Sequence, residues 1–359
     1  MYMRSIEVPK VKNFFDDATV YDFIVFIMRG QPMHVGHQEV IEHALTLGKR
    51  VIILLGSAFQ PRTIKNPWKW EERAKMIKSV FSMSNVVVYP LCDFKSDNNV
   101  WAANVQRIVD DDLRKNAIWT DYPAKGRIIG HDKDESSFYL KLFPQWGDPI
   151  NHPLNEEVHA TDIRRIYFED NIRYLKDVVP VSVFDYLFDF KKTSEYALLK
   201  EEWEFIKNYK RSWAGAPYEP IFQTADAVVV QSGNVLLVQR RATPGKGLWA
   251  LPGGFVNPNE RIDAAAYREL REETKIDVPE KVLRGCQVKW DKFDDPSRSL
   301  RGRTITHAYY IVLPAGPLPK VKGSDDAVKA KWIPLSEVNE EEMFEDHYSI
   351  IQSFVGKFN

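Results

Sequence analysis

Phe23-Ile24-Val25-Phe26-Ile27-Met28-Arg29-Gly30-Gln31-Pro32-Met33-His34-Val35-Gly36-His37 is the stretch on which the fold turns. Its first six residues are continuously apolar and rich in β-branched and aromatic types, which predicts a strand buried on both faces. Arg29-Gly30-Gln31-Pro32 then carries turn chemistry. Beyond Gly36, residues Val40, Ile41, Ala44, Leu45 and Leu47 recur at helical spacing, Gly48 closes the segment, and Val51-Ile52-Ile53-Leu54-Leu55 is a second apolar run. Further strand candidates lie at 86–89 and 127–129, with helical stretches at 71–81 and 99–113 between them. Apolar strands alternating with helices predict an α/β unit with a parallel, doubly wound sheet.

Past residue 190 the character changes. Residues 191–209 are charged and helical in pattern, and Ser212-Trp213-Ala214-Gly215-Ala216-Pro217 breaks them. Ala227-Val228-Val229-Val230, a turn at Ser232-Gly233-Asn234 and Val235-Leu236-Leu237-Val238 then read as a hairpin. A helix at 262–274 and strand-like pieces around Val288 and at 307–313 complete a mixed sheet with helices packed on it, an α+β arrangement. The expected division is a first unit at 1–190, a helical connector at 191–215 and a second unit at 216–359. At about 150 residues per domain, a chain of 359 residues has room for both cores.

Composition narrows the function classes. With 44% hydrophobic and 28% charged residues the chain is globular in type rather than disordered or fibrous. Forty-nine basic residues against 50 acidic ones leave a charge of -1, so no nucleic-acid partner is expected and an anionic ligand must be small and locally held. Cys92 and Cys286 stand in unlike contexts, which suggests reduced thiols rather than a disulfide framework or a zinc site. The longest apolar run, 23–28, is too short for a bilayer, and residues 1–15 have no signal-like core. The expectation is a cytoplasmic protein without a membrane partner; homo-oligomer formation is left open.

His34 and His37 sit where the first strand passes into a helix. A helix N-terminus presents unpaired N–H groups and a positive dipole end, so phosphate is a natural ligand there. Gly36 would let backbone approach closely, and two imidazoles three residues apart share one side of the first turn. A zinc site is the rival, but no third Cys or His ligand stands nearby. A second phosphate element is suggested by His159-Ala160-Thr161-Asp162-Ile163-Arg164, where Thr161 is expected to cap a helix and Arg164 to add a charged fork.

The first of these stretches resembles the nucleotidyltransferases that carry an HxGH signature, and among them the archaeal-type nicotinamide mononucleotide (NMN) adenylyltransferases. Residues 29–37 are similar to that family's RFQPxHxGH opening, and Gly56-Ser57, Lys65-Asn66-Pro67 and Glu71-Glu72-Arg73 resemble its next block. His159 to Arg164 resembles its SxTxIR element. Two departures are Gly30 for an aromatic and His159 for a serine. The resemblance, over about residues 20 to 185, implies a Rossmann-like unit in which the 5′-phosphate of NMN attacks the α-phosphorus of ATP. The nucleophile is already an anion, so the protein's task is to orient phosphates and stabilise developing charge. His34, His37 and Arg164 would do this, with Arg29 beside them, Thr161 and Gly36 in contact with substrate, and Mg²⁺ accompanying the triphosphate. Trp101 is the candidate nicotinamide stack, with a core Trp as the alternative.

The second unit carries Gly254, five residues, Glu260, seven residues, Arg268-Glu269-Leu270, one residue, then Glu272-Glu273. Glu269, Glu272 and Glu273 stand at i, i+3 and i+4 and share one helical face, a set of oxygen ligands suited to Mg²⁺ or Mn²⁺ holding a diphosphate. Leu251-Pro252-Gly253-Gly254 would bring backbone close to the phosphates, and Arg268 and Glu260 would orient carboxylates. The spacing resembles the Nudix box of Nudix hydrolases, with Lys275 in place of the usual glycine. The resemblance implies a Nudix fold and metal-assisted hydrolysis of a nucleoside diphosphate derivative, with Asp294, Asp295, Asp325 and Asp326 as unranked candidates for the general base. Asp294-Asp295-Pro296-Ser297-Arg298 with Arg301-Gly302-Arg303 is similar to the substrate-side segment of ADP-ribose pyrophosphatases. Together the two units resemble a bacterial bifunctional family with ATP, NMN and ADP-ribose as substrates. Two alternatives are a second unit that only senses ADP-ribose or NAD, and a transferase with another acceptor, such as pantetheine phosphate, a flavin or a sugar phosphate.

Overall fold

The computed structural model describes residues 21–93, 98–116, 124–132, 135–153, 158–323 and 327–356. The N-terminal segment 1–15 and the candidate bases Asp325 and Asp326 lie outside them.

The quoted stretch forms strand β1 (Phe23–Met28) and enters helix α1 (Val35–Leu47). Strand β2 (Val51–Leu55), helix α2 (Trp70–Val80), strand β3 (Val86–Pro90), helix α3 (Asn98–Lys115), strands β4 (Gly126–Gly130) and β5 (Ile150–Asn151), and helices α4 (Ala160–Phe168) and α5 (Val181–Phe190) follow. The five strands are all parallel, in the order β3-β2-β1-β4-β5. Every β1 residue is buried because the strand serves two cores: Ile24, Phe26 and Met28 face one layer, and Phe23, Val25 and Ile27 the other. A strand covered on both faces cannot alternate polar with apolar, which is why its sequence is an unbroken apolar run. Strand order reverses between β1 and β4, and in such sheets the crevice at the carboxyl ends of those strands is where ligands bind.

Helix α6 (Ser194–Arg211) follows Thr193, whose hydroxyl accepts the Tyr196 N–H at 3.2 Å. It spans most of the expected connector, and Tyr196, Leu199 and Ile206 pack into the first unit's core. The buried Glu202 also accepts the Ile64 N–H at 2.9 Å.

The second unit is built on strands β6 (Phe222–Gln231), β7 (Asn234–Arg240), β8 (Trp249–Ala250) and β9 (Gly253–Phe255), helices α7 (Ile262–Thr274) and α8 (Glu280–Gly285), strands β10 (Gln287–Phe293), β11 (Thr304–Val312) and β12 (Ala327–Pro334), and helix α9 (His347–Val355). Its sheet runs β10-β11-β6-β7-β12 with β11 and β6 parallel, and β8 and β9 are added to β7 and β6. The β6–β7 turn is the two residues Ser232 and Gly233, at φ 48° and 75°, whose twist matches that of the flanking strands. Helix α7 covers one face through Tyr267 and Leu270 on Val229 and Leu236; α9 covers the other through Ile350 and Ile351 on Val228 and Val230. The sequence reading does not include α9: its apolar positions pack under a sheet formed largely by residues 50 to 130 positions earlier.

The units meet along a polar seam. Lys69 pairs with Glu341 at 2.9 Å, Gln60 donates to Glu340, Lys65 Nζ donates to the Ser297 carbonyl at 3.5 Å, and Leu300 packs on the first unit's core.

Candidate active sites

At the carboxyl end of β1, His34 is the residue preceding α1 and is 5% exposed. Its backbone N–H donates to His37 Nδ1 at 3.3 Å, and the two rings lie 3.7 Å apart, centroid to centroid. Because His37 Nδ1 accepts, its proton resides on Nε2 and that nitrogen is the donor. Burial pushes the His34 imidazole down to about 4, with His159 adding to the effect. Burial, then His34, holds His37 well below the usual range. Both rings are therefore neutral donors at pH 7. His34 Nδ1 is buried and faces the first turn of α1, where the two histidines form a reciprocal capping box.

The histidines open onto a cavity of about 710 Å³, within the size range of a nucleotide site. Arg29 and Trp101 line it as well, Trp101 with its ring against Tyr139 and Phe143. Gly36, Thr161 and Arg164 are not among its lining residues. Gly36 is buried in the first turn of α1. Arg164, pushed down to about 10 by burial, donates to the Gln31 carbonyl at 2.8 Å and to Thr161 Oγ1 at 3.1 Å, tying α4 to the turn after β1.

One expectation is corrected here. His159, not Thr161, precedes α4: the helical ladder begins with the Asp162 and Ile163 N–H groups on the His159 carbonyl, so Thr161 lies within the first turn. The absence of an aromatic at 30 has a conformational reason. Gly30 sits at φ +60°, a left-handed conformation that strains any residue with a Cβ, whereas the Met28 methyl beside it is the end of a flexible side chain.

Sequence reasoning missed the support behind this pocket. Ser57, at φ 51°, donates N–H and hydroxyl to Asp93 at 3.0 and 2.5 Å. The fully buried Arg73 donates to the carbonyls of Arg29, Gly56 and Ser57 and so clamps the ends of β1 and β2 together.

In the second unit, α7 presents the carboxylates at the glycine loop. Glu273 Oε2 accepts the Gly253 N–H at 3.1 Å. A Cβ at Gly254 would stand 2.4 Å from Glu269 Oε1, so any larger residue would displace that carboxylate. Arg268 reaches Glu260 at 2.8 and 2.9 Å, Glu269 at 2.7 Å and Glu272 at 3.0 Å. Among the described residues no three His, Cys, Asp or Glu side chains converge as a ready cation cage. The reason is visible: Arg268 engages two of the carboxylates, and Glu273 turns to the backbone. Lys275 ends α7 at φ 46°, ψ 35°, the left-handed turn a glycine would take at about 1 kcal/mol lower cost.

Burial raises Glu269, and it pushes Glu273 up to about 8 despite the Gly253 N–H. A divalent cation that binds the carboxylate must displace a proton, so its affinity depends on pH. Calorimetry with Mn²⁺ is expected to show affinity falling from pH 8 to about 6, with proton release on binding; a flat profile would mean that Glu273 is not a ligand.

Long-range partners of this loop were not legible in the sequence. His347 Nδ1 accepts the Leu251 N–H at 2.9 Å, and Arg298 pairs with Asp346 at 2.7 and 3.0 Å, both buried. Asp226, raised to about 6 by burial, accepts from Thr306. Asp294 pairs with Lys292 at 2.6 Å, and Asp295 accepts from Ser297 and lines the first unit's cavity.

A histidine-lined crevice at the sheet's switch point and a carboxylate helix set against a glycine loop define a two-site enzyme, a nucleotidyltransferase unit joined to a Nudix unit. Residues 30–166 match the Cytidylyltransferase-like family and residues 221–354 the NUDIX domain. The nicotinamide/nicotinic acid mononucleotide adenylyltransferase of Acinetobacter baylyi is 37% identical over 186 residues, 51% of this chain and 94% of that protein. An ADP-ribose pyrophosphatase of Methanocaldococcus jannaschii is 32% identical over 36% of this chain and 70% of its own length. Across both units, a bifunctional NMN adenylyltransferase/ADP-ribose pyrophosphatase structure from Francisella tularensis superposes with TM-score 0.85 and 38% identity, covering 94% of this chain and 99% of that one. A Francisella tularensis structure complexed with AMP and Mn ion gives TM-score 0.83 at 35% identity, with the same coverage. The chain belongs to the family of bifunctional NMN adenylyltransferases/ADP-ribose pyrophosphatases. Among the described residues no helix is long and apolar enough to cross a membrane.

Proposed function

We propose that the chain transfers AMP from ATP to NMN, giving NAD and pyrophosphate, and hydrolyses ADP-ribose to AMP and ribose 5-phosphate. The observation that carries this reading is the coexistence on one chain of a histidine pair, His34 buried and His37 half-buried with rings 3.7 Å apart, at the sheet's switch point and a carboxylate helix at a glycine loop.

In the first site His37 Nε2 and the His34 ring donate to phosphate oxygens, with Arg29 supplying fixed charge at the cavity wall. Neutral imidazoles donate without first being desolvated as cations, and their N–H groups are already aimed when the α-phosphorus is attacked. Arg164 acts as a strut, since its donors hold the turn and α4 in place. Trp101 offers a ring face at the acceptor end.

In the second site Glu269, Glu272 and Glu273 are the residues that would hold Mg²⁺ or Mn²⁺. Their chemistry fits: hard oxygen donors, two of them with raised proton affinity from burial, which a cation would offset. When bound, the metal polarises the diphosphate and stabilises charge on the leaving phosphate. Arg268 and Glu260 orient the carboxylates, and Gly253-Gly254 lets the loop backbone lie directly against Asp226 and Glu269. A second Mg²⁺, accompanying ATP in the first site, belongs to the same reading.

The test is a substrate panel on the purified full chain with Mg²⁺ or Mn²⁺, products resolved by chromatography. NAD from ATP and NMN, and AMP with ribose 5-phosphate from ADP-ribose, are expected. ADP-ribose bound without AMP release would make the second unit a sensor. Turnover of another acceptor in preference to NMN would reassign the first.

A further inference from the structure

The segment that resembles a hydrolase's substrate side does not face only the hydrolase. Ser297, Arg298, Leu300 and Glu345, all in the second unit, line the same cavity as His34 and His37. We infer that the second unit forms a wall of the transferase pocket, so that a nucleotide filling the cavity is touched by both units and the Nudix unit positions substrate for the other reaction. This rests on the reading of the first site as a nucleotide site.

Three observations make the wall rigid. Arg298, its side chain 2% exposed, is locked by two hydrogen bonds to Asp346, the residue that leads into α9. Leu300 packs onto the first unit's apolar core, so the segment is anchored from both sides. Lys65, which lines the cavity on the first unit, donates to the Ser297 carbonyl at 3.5 Å and closes the seam between the two walls. Glu345 stands at φ 48°, with a side chain 10% exposed and Oε2 3.8 Å from Arg301. A strained backbone held in place by surrounding contacts is more common at ligand walls than elsewhere. A wall of this kind contributes to binding through preorganisation: a ligand that meets a surface already ordered loses less freedom there.

Hydrogen exchange on the wild-type full chain tests this directly. With saturating NMN and an ATP analogue that cannot be cleaved between its α and β phosphorus atoms, amides in 57–66 and in 295–300 are both expected to exchange several-fold more slowly. Slowing at 57–66 alone overturns the inference and leaves the transferase reading standing; no slowing at either overturns that reading and the inference with it. In parallel, Leu300→Trp should raise KM for NMN or ATP by about tenfold with a smaller change in kcat, and ADP-ribose hydrolysis on the same sample reports that the second unit is folded. Unchanged KM for both nucleotides in a variant that melts like wild type, or equal losses in both reactions, overturns it.

Discussion

His37→Ala is expected to reduce NAD formation by about 10² to 10³ in kcat, the usual cost of removing one fixed donor to developing phosphate charge, about 2.7 to 4 kcal/mol. The substitution removes the Nε2 donor and also the acceptor that holds the His34 N–H, so His34 loses its orientation as well. ADP-ribose hydrolysis should stay within about twofold, because His37 in α1 and the carboxylates in α7 belong to separate units. The measurement is steady-state kinetics for both reactions on one preparation. Loss of both activities together in a chain that melts normally would sink the two-site reading. A near-normal transferase would show that the histidine pair is structural.

Glu273→Gln should do the reverse: ADP-ribose hydrolysis reduced by about 10³ or more, NAD formation within about twofold. Glutamine keeps an oxygen for the Gly253 N–H and removes only the charge, so the loss reports metal holding rather than loop collapse. The same variant carries a stability signature. A carboxyl whose folded-state pKa is raised from 4.5 to about 8 is bound more tightly to its proton in the folded chain. Stability from this group is therefore present in full below pH 4.5 and is lost as pH rises toward 8. Without metal at pH 7, the glutamine variant should melt higher than wild type; with saturating Mn²⁺ the order should invert, because only the wild type gains from binding. Retained hydrolysis would remove Glu273 from the catalytic set.

Much of this was legible because it is local. The run of 23–28, the histidines at i and i+3, and the three glutamates within five residues each depend on a strand or a helix whose period is set by backbone geometry. The helix at 262–274 is found with the bounds its periodicity predicts. The hairpin at 232–233 needs only residues that tolerate positive φ. Capping was less legible: Thr161 has the right chemistry for an N-cap, yet the ladder starts two residues earlier, because the start of a helix is set by which carbonyl the chain geometry presents.

By itself, then, the amino-acid order determined two units, their classes of chemistry and the residues of each motif, since those follow from short-range periodicity and side-chain type. Tertiary structure alone decided which groups back them. Arg73 on the carbonyls of Arg29 and Gly56, His347 under Leu251 and Thr306 on Asp226 join residues from 17 to 96 positions apart. It also decided that 295–300 faces the first unit's cavity, 232 residues from Lys65. Contacts at such separations leave no period in the sequence, because they depend on how two sheets and their helices pack, and packing is settled only when the whole chain has folded.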